Sequence, residues 1–191
     1  MRVFKVFFLL MFSSLSFYSI SAPKTLTIKY EPISEKAKSK LSKSSVSKMV
    51  SCSFESDDIA DNRQNKQTVA NMWSDSLNID GVNQWLEEAR STFLSNIAID
   101  NARVNVTISP KLTRLYSYPE SMNILGVSAL VVDYVVDGHV VDTRHYRGFY
   151  AKTNWAGGNG EYLTALNLSI NDLMGKMYSD LNSVCSEIVK S

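Results

Sequence analysis

Ile124–Ala151 reads ILGVSALVVDYVVDGHVVDTRHYRGFYA, two apolar, β-branched and aromatic runs on either side of Asp137-Gly138. That dipeptide tolerates the positive φ values of a two-residue type I′ turn, so the stretch predicts a β-hairpin. Pairing outward from the turn sets Val136 against His139, Val135 against Val140, Tyr134 against Val141 and Asp133 against Asp142. Two carboxylates placed so repel each other unless the neighbouring Arg144 neutralises them, and Asp133, Asp142, Arg144 and the two histidines read as the hairpin's solvent-facing side chains. A two-stranded ribbon cannot bury its apolar side alone, so the rest of the chain must supply more strands and a covering layer.

Immediately upstream, Val104, Val106 and Ile108 alternate with Asn105, Thr107 and Ser109, the pattern of a strand with one apolar face. Pro110 implies a bulge or an edge position, after which Leu112–Tyr118 continues the strand and Pro119-Glu120-Ser121 turns it into the hairpin. The expected result is a three-strand antiparallel meander. Before it, Val82, Trp85, Leu86, Ala89, Phe93 and Ile97 fall on one helical face, with Asp80 as the expected N-cap. After it, Leu163, Leu166, Ile170, Leu173, Met177, Leu181, Val184 and Ile188 mark a long helix over about Glu161–Val189. Thr25–Tyr30 and Val50–Glu55 have strand character. The predicted class is α+β: a single antiparallel sheet of four to five strands with two helices packed on one face.

Residues 1–21 read as a secretory signal peptide: Arg2 and Lys5, then the apolar run Val6–Phe12, then small residues at Ser19 and Ser21. The apolar core is too short for a permanent membrane span, and with no cysteine near the cut no lipid anchor is expected. Residues 22–191 are expected to form one exported, soluble domain, periplasmic in a Gram-negative cell. Removing Arg2 and Lys5 from the 20 basic residues leaves 18 against 19 acidic ones, which argues against a general nucleic-acid binder. The two cysteines, Cys52 and Cys185, are most simply one disulfide in an oxidising compartment. Ser34–Lys48 sets Lys36, Lys38, Lys40, Lys43 and Lys48 against Glu35 alone and reads as a mobile loop.

The densest polar cluster is Asp57–Thr68. Ile59 interrupts the alternation of oxygens that a calcium loop needs and the glycine is missing, so no metal and no cofactor is expected. Asp57, Asp61, Asn62, Arg63 and Lys66 are the candidates for a partner-binding loop, against the alternative of a turn held by Asx hydrogen bonds and an Asp61 pair with Arg63 or Lys66. Asp133, Asp142 and His145 allow a hydrolase reading, because paired carboxylates can push one pKa up. His139 and His145 lack a third ligand for zinc. Asn154–Gly160 is rich in glycine, but Glu161-Tyr162 stands where a phosphate loop needs Lys-Ser/Thr.

The order strand, Asp61-to-Thr68 stretch, amphipathic helix, three-strand meander and long C-terminal helix resembles small Gram-negative envelope proteins: the YajG-type lipoproteins and the auxiliary lipoprotein subunits of lipid-trafficking ABC transporters. The resemblance covers roughly Val50–Val189 and departs from those families in lacking the lipidated cysteine. It implies a non-catalytic binding or assembly role, with an envelope protein or lipid as partner. A lipid carrier would hold its ligand between the long helix and the sheet, near Tyr134, Tyr146, Phe149, Tyr150 and Trp155. The expected function is therefore non-enzymatic binding of an envelope component, with a lipid carrier as the alternative and a hydrolase last.

Overall fold

The computed structural model describes residues 24–32, 52–72, 75–97, 102–153 and 158–190; the expected signal peptide, the Lys/Ser segment and Trp155 lie outside them. The elements are β1 (Lys24–Thr27), β2 (Cys52–Ser56), β3 (Ala60–Asp61), β4 (Thr68–Met72), β5 (Asp75–Asp80), α1 (Val82–Ser95), β6 (Val104–Glu120), β7 (Asn123–Val136), β8 (His139–Thr153) and α2 (Asn159–Ile188). All the strands belong to one eight-stranded sheet with the path β1-β5-β4-β6-β7-β8, and β2 and β3 also pair with β6.

The meander β6-β7-β8 is antiparallel as expected, but the sheet as a whole is mixed and larger than four or five strands. β2, β3 and β4 lie end to end, parallel to β6, along the edge that β7 leaves free. A parallel partner needs a long crossover, and β5 with α1 supplies it between β4 and β6. β4 and β5 form an antiparallel hairpin that the sequence conceals, because TVANM and DSLNID lack regular alternation. Pro110 sits in the gap where β2 has ended at Ile108 and β3 has not begun at Lys111, so its missing N–H disturbs neither pairing. The bulge falls instead at Thr113, between Leu112 and Arg114.

Asp137 and Gly138 adopt φ of 50° and 78°, the turn that the dipeptide predicts. Beyond Val135 the register departs from expectation: a bulge at Val141 places Asp142 opposite Tyr134 and Thr143 opposite Asp133. One inserted residue swaps every later side chain to the other face, so Asp133 and Asp142 end on opposite sides of the sheet. At the start of α1 the N-cap is Gly81, at φ 81°, and not Asp80, which closes β5 and accepts the Ile28 N–H through its carbonyl. A side chain at position 81 would meet both the positive φ and the Ile28 carbonyl oxygen.

One face of the meander carries Ile108, Leu112, Leu130, Val132 and Tyr134, buried against α2, whose Leu166, Ile170, Leu173 and Met177 are fully covered. The helix runs directly over Gly126 and Gly148. Trp85 and Leu86 of α1 join the same core. The disulfide between Cys52 and Cys185, with Cα atoms 5.9 Å apart, ties β2 to the end of α2 as the sequence predicts. No helix among the described residues is long and apolar enough to cross a membrane.

Candidate functional site

The loop after β2 is a well-fastened connection. Its backbone follows β6, with Asp57 N–H donating to the Ile108 carbonyl and Asn62 N–H to that of Leu112, both at 2.9 Å. The Asp57 carboxylate accepts from the Ser109 hydroxyl. Asp61 receives Arg63 side-on, from Nε and Nη2 at 2.9 Å each, and Arg63 Nη2 also donates to the Lys66 carbonyl. Arg63 is 3% exposed and Asp61 11%, so the pair is interior and serves to fold the loop. Partial burial opposes ionisation of Asp61, but the hydrogen bonds and charge of Arg63 prevail and hold its carboxyl below the usual range. Arg63 Nη1 is buried with no hydrogen-bond partner.

Asp58, Ile59, Ala60, Asp61, Lys66, Asn83 and Glu87 line an open groove of about 680 Å³ beside this loop. Arg90 organises its α1 side, donating to Glu87 at 2.6 and 2.8 Å and to the Ser56 carbonyl at 2.9 Å. The hydrogen bond from Arg90 holds Glu87 below its ordinary pKa. The structure thus brings Asp61, Arg63 and Lys66 together as the alternative of an Asx-type turn with an ion pair requires, while Asp57 is drawn towards β6 and the Asn62 side chain is exposed.

The carboxylates of the hairpin have separate roles. Asp133 accepts from Lys111 Nζ and Thr143 Oγ1, each at 2.7 Å, and the Lys111 bond foremost keeps it ionised. Asp142 lies on the helix face with Arg144, which sequence reasoning assigns to solvent. There Arg144 bonds Asp142 and Asp180 at 2.7 Å and Glu187 at 2.6 Å, tying β8 to the last turns of α2. Tyr146 donates to Asp180 at 2.7 Å and lies 2.8 Å from the Tyr134 hydroxyl. Burial pushes Tyr134 up to about 12 and Tyr146 higher still. His145 is exposed on the other face, opposite Val131, so Asp133, Asp142 and His145 do not assemble. Among the described residues no group of three metal-ligating side chains converges.

Two asparagines absent from the sequence-based candidates carry a second fastening. Asn167, 4% exposed, accepts from Trp85 Nε1 at 2.7 Å and from the Glu31 N–H at 3.2 Å, and donates to the Lys29 carbonyl at 2.9 Å. Asn171, one turn on, donates to the Glu31 carbonyl and accepts from the Tyr30 hydroxyl. Together they satisfy the extended chain beyond β1 as a neighbouring strand would. The signal was present in the sequence: two asparagines four residues apart, one of them in an otherwise apolar helical stripe.

No family model matches the chain, and no curated protein matches it in sequence. Among solved structures, it is similar to a DUF330-family protein from Xanthomonas campestris, at 10% identity and a TM-score of 0.58, with 88% of this chain and 99% of that one covered. At that identity the likeness is one of fold. A putative lipoprotein from Caulobacter crescentus overlaps 55% of this chain and 83% of its own at a TM-score of 0.39 and 10% identity. A minor lipoprotein from Acinetobacter baumannii overlaps 62% and 94% at 0.40 and 10% identity. Scores of that size do not establish a common fold.

Proposed function

We propose that the protein is a non-enzymatic accessory protein of the bacterial envelope, exported to the periplasm, where it binds a partner protein. The observation that carries this reading is the engagement of its conspicuous charged groups: Asp61, Glu87, Asp133, Asp142 and Asp180 are all held by cations within the fold. Carboxylates fixed in this way are engaged in holding the fold, whereas proton transfer needs a group free to meet a substrate. The Cys52–Cys185 disulfide fits an oxidising compartment. A carrier with its ligand between α2 and the sheet has less support, because Gly126 and Gly148 bring backbone against backbone there.

The test is affinity isolation of the tagged full chain from envelope extracts under native conditions, compared with the tag alone. Specific enrichment of one envelope protein is the expected result. Recovery of nothing above background, or a hydrolytic activity abolished by Asp133→Asn, would overturn the reading.

A further inference from the structure

The face of the meander turned away from α2 has a composition of its own. In cross-strand register it carries Arg114, Ala129 and Arg147, then Tyr116, Val127 and Phe149, then Tyr118, Leu125 and Ala151; Val127 and Leu125 are buried, so the accessible large side chains are the arginines, Phe149 and, in part, the two tyrosines. Tyr116 and Tyr118 stack with ring centroids 5.9 Å apart, and Phe149 is 44% exposed. Both arginines are exposed and have no ion-pair partner among the described residues, unlike Lys111 in the adjacent row, which Asp133 holds. One strand, β7, separates them, two strand spacings or about 10 Å of backbone, with the small Ala129 between.

From this arrangement we infer that the outer face of β6-β7-β8 docks a segment of a partner protein that carries carboxylates beside apolar side chains. The acidic groups sit over Ala129 between Arg114 and Arg147, and the apolar ones lie on Tyr116, Tyr118 and Phe149. Aromatic residues with arginine beside them are the composition of interface centres. Charge selects the occupant. The chain's own segment at 34–48, with five lysines to one glutamate, has the wrong sign. A second copy placed face to face sets like charges together. An anionic membrane gains about 1 kcal/mol per arginine, too little from two. Strand addition at the β8 edge is blocked at its centre, where Asp172 takes the Phe149 N–H at 3.0 Å and Lys176 donates to the Arg147 carbonyl at 2.9 Å.

This inference rests on the accessory-protein reading, and its test separates the two. A photo-crosslinking benzoylphenylalanine is placed in the full chain at Phe149, at Tyr116 or, as a control on the loop, at Asn62, and irradiated in the native host. The expected result is a crosslink from Phe149 and Tyr116 to one peptide rich in Asp or Glu and apolar residues. Its yield should fall more than tenfold in R114E/R147E, and in the milder R114Q and R147Q variants should the double variant not fold. A crosslink indifferent to those changes, or one made only to lipid or to a second copy of this chain, overturns the inference. So does flotation with vesicles of phosphatidylglycerol and phosphatidylethanolamine that the arginine changes abolish. Crosslinks from Asn62 alone overturn it while leaving the accessory role standing; none from any position overturns both.

Discussion

A Cβ placed on Gly148 lies 1.8 Å from the carbonyl oxygen of Ser169, and one on Gly126 lies 2.1 Å from that of Ala165. Ala165 and Ser169 are one helical turn apart, so α2 rests on β7 and β8 through two small-residue contacts that admit no further atom. The collision is with backbone, which a rotamer change cannot relieve. Gly148→Ala and Gly126→Ala should each cost about 3 kcal/mol, read as a lower urea midpoint with unchanged slope.

Gly175 of the same helix offers the opposite case, since nothing lies within 4 Å of a Cβ there. Gly175→Ala should stabilise the protein by about 0.5–1 kcal/mol, through helix propensity and a smaller unfolded-state entropy. Thermal melts of the three variants side by side check both signs; a stable Gly148→Ala protein would mean that α2 rides higher over the sheet.

These contacts mark what was legible in the chain and what was not. The type I′ turn, the apolar stripe of α2 and the cysteine pair follow from short-range chemistry, and each is where the sequence places it. What pairs with β6 on its other edge is long-range: β2 is legible as a strand but its parallel partner is not, and β3 and β4 are too short and too irregular to announce themselves. The bulge at Val141 turns on a single residue, yet it moves Arg144 from solvent to Asp180 and Glu187 on α2. Of the loop residues, the pairing of Asp61 with Arg63 could be read from their spacing, whereas the Asn167 contacts, 82 to 138 positions away along the chain, could not.

Asn167 joins three segments, so its truncation tests whether the extended chain after β1 depends on α2. Asn167→Ala leaves the Trp85 indole N–H, the Glu31 N–H and the Lys29 carbonyl without this partner, at a cost of about 3 kcal/mol. Hydrogen exchange should accelerate over residues 28–31 before the meander is affected. Uniform acceleration across the sheet would show that the asparagine supports the core alone.

The disulfide closes 133 residues, for which the chain-entropy model gives about 5 kcal/mol as an upper figure. Cys52→Ser/Cys185→Ser should therefore lower the melting temperature strongly. Reductant should destabilise the native protein and leave the double variant unchanged.

The pair of Asp61 and Arg63 has a predictable acid limb. The folded-state pKa of Asp61 is depressed, so its contribution is present above the unfolded value near 4 and is lost as pH falls through the lower folded value. Asp61→Ala should cost about 3 kcal/mol at pH 7, because Arg63 is left buried without its counter-ion. The difference from the parent protein should shrink below pH 4, as the parent carboxylate is itself protonated. Urea titrations at pH 7 and pH 3 measure this; an equal difference at both would assign the cost to packing.

β8 ends the strand order, and a 15-residue edge invites pairing with another chain. Asp172 and Lys176, themselves joined at 2.7 Å, occupy its outward N–H at Phe149 and its outward carbonyl at Arg147. Both side chains reach from the surface of α2, so their removal opens the edge without disturbing the core. Asp172→Ala/Lys176→Ala should keep the fold, by circular dichroism, and show concentration-dependent association in light scattering where the parent is unaffected. If the double variant scatters as the parent does, the edge is closed by its twist and length, and the two side chains serve only to position α2.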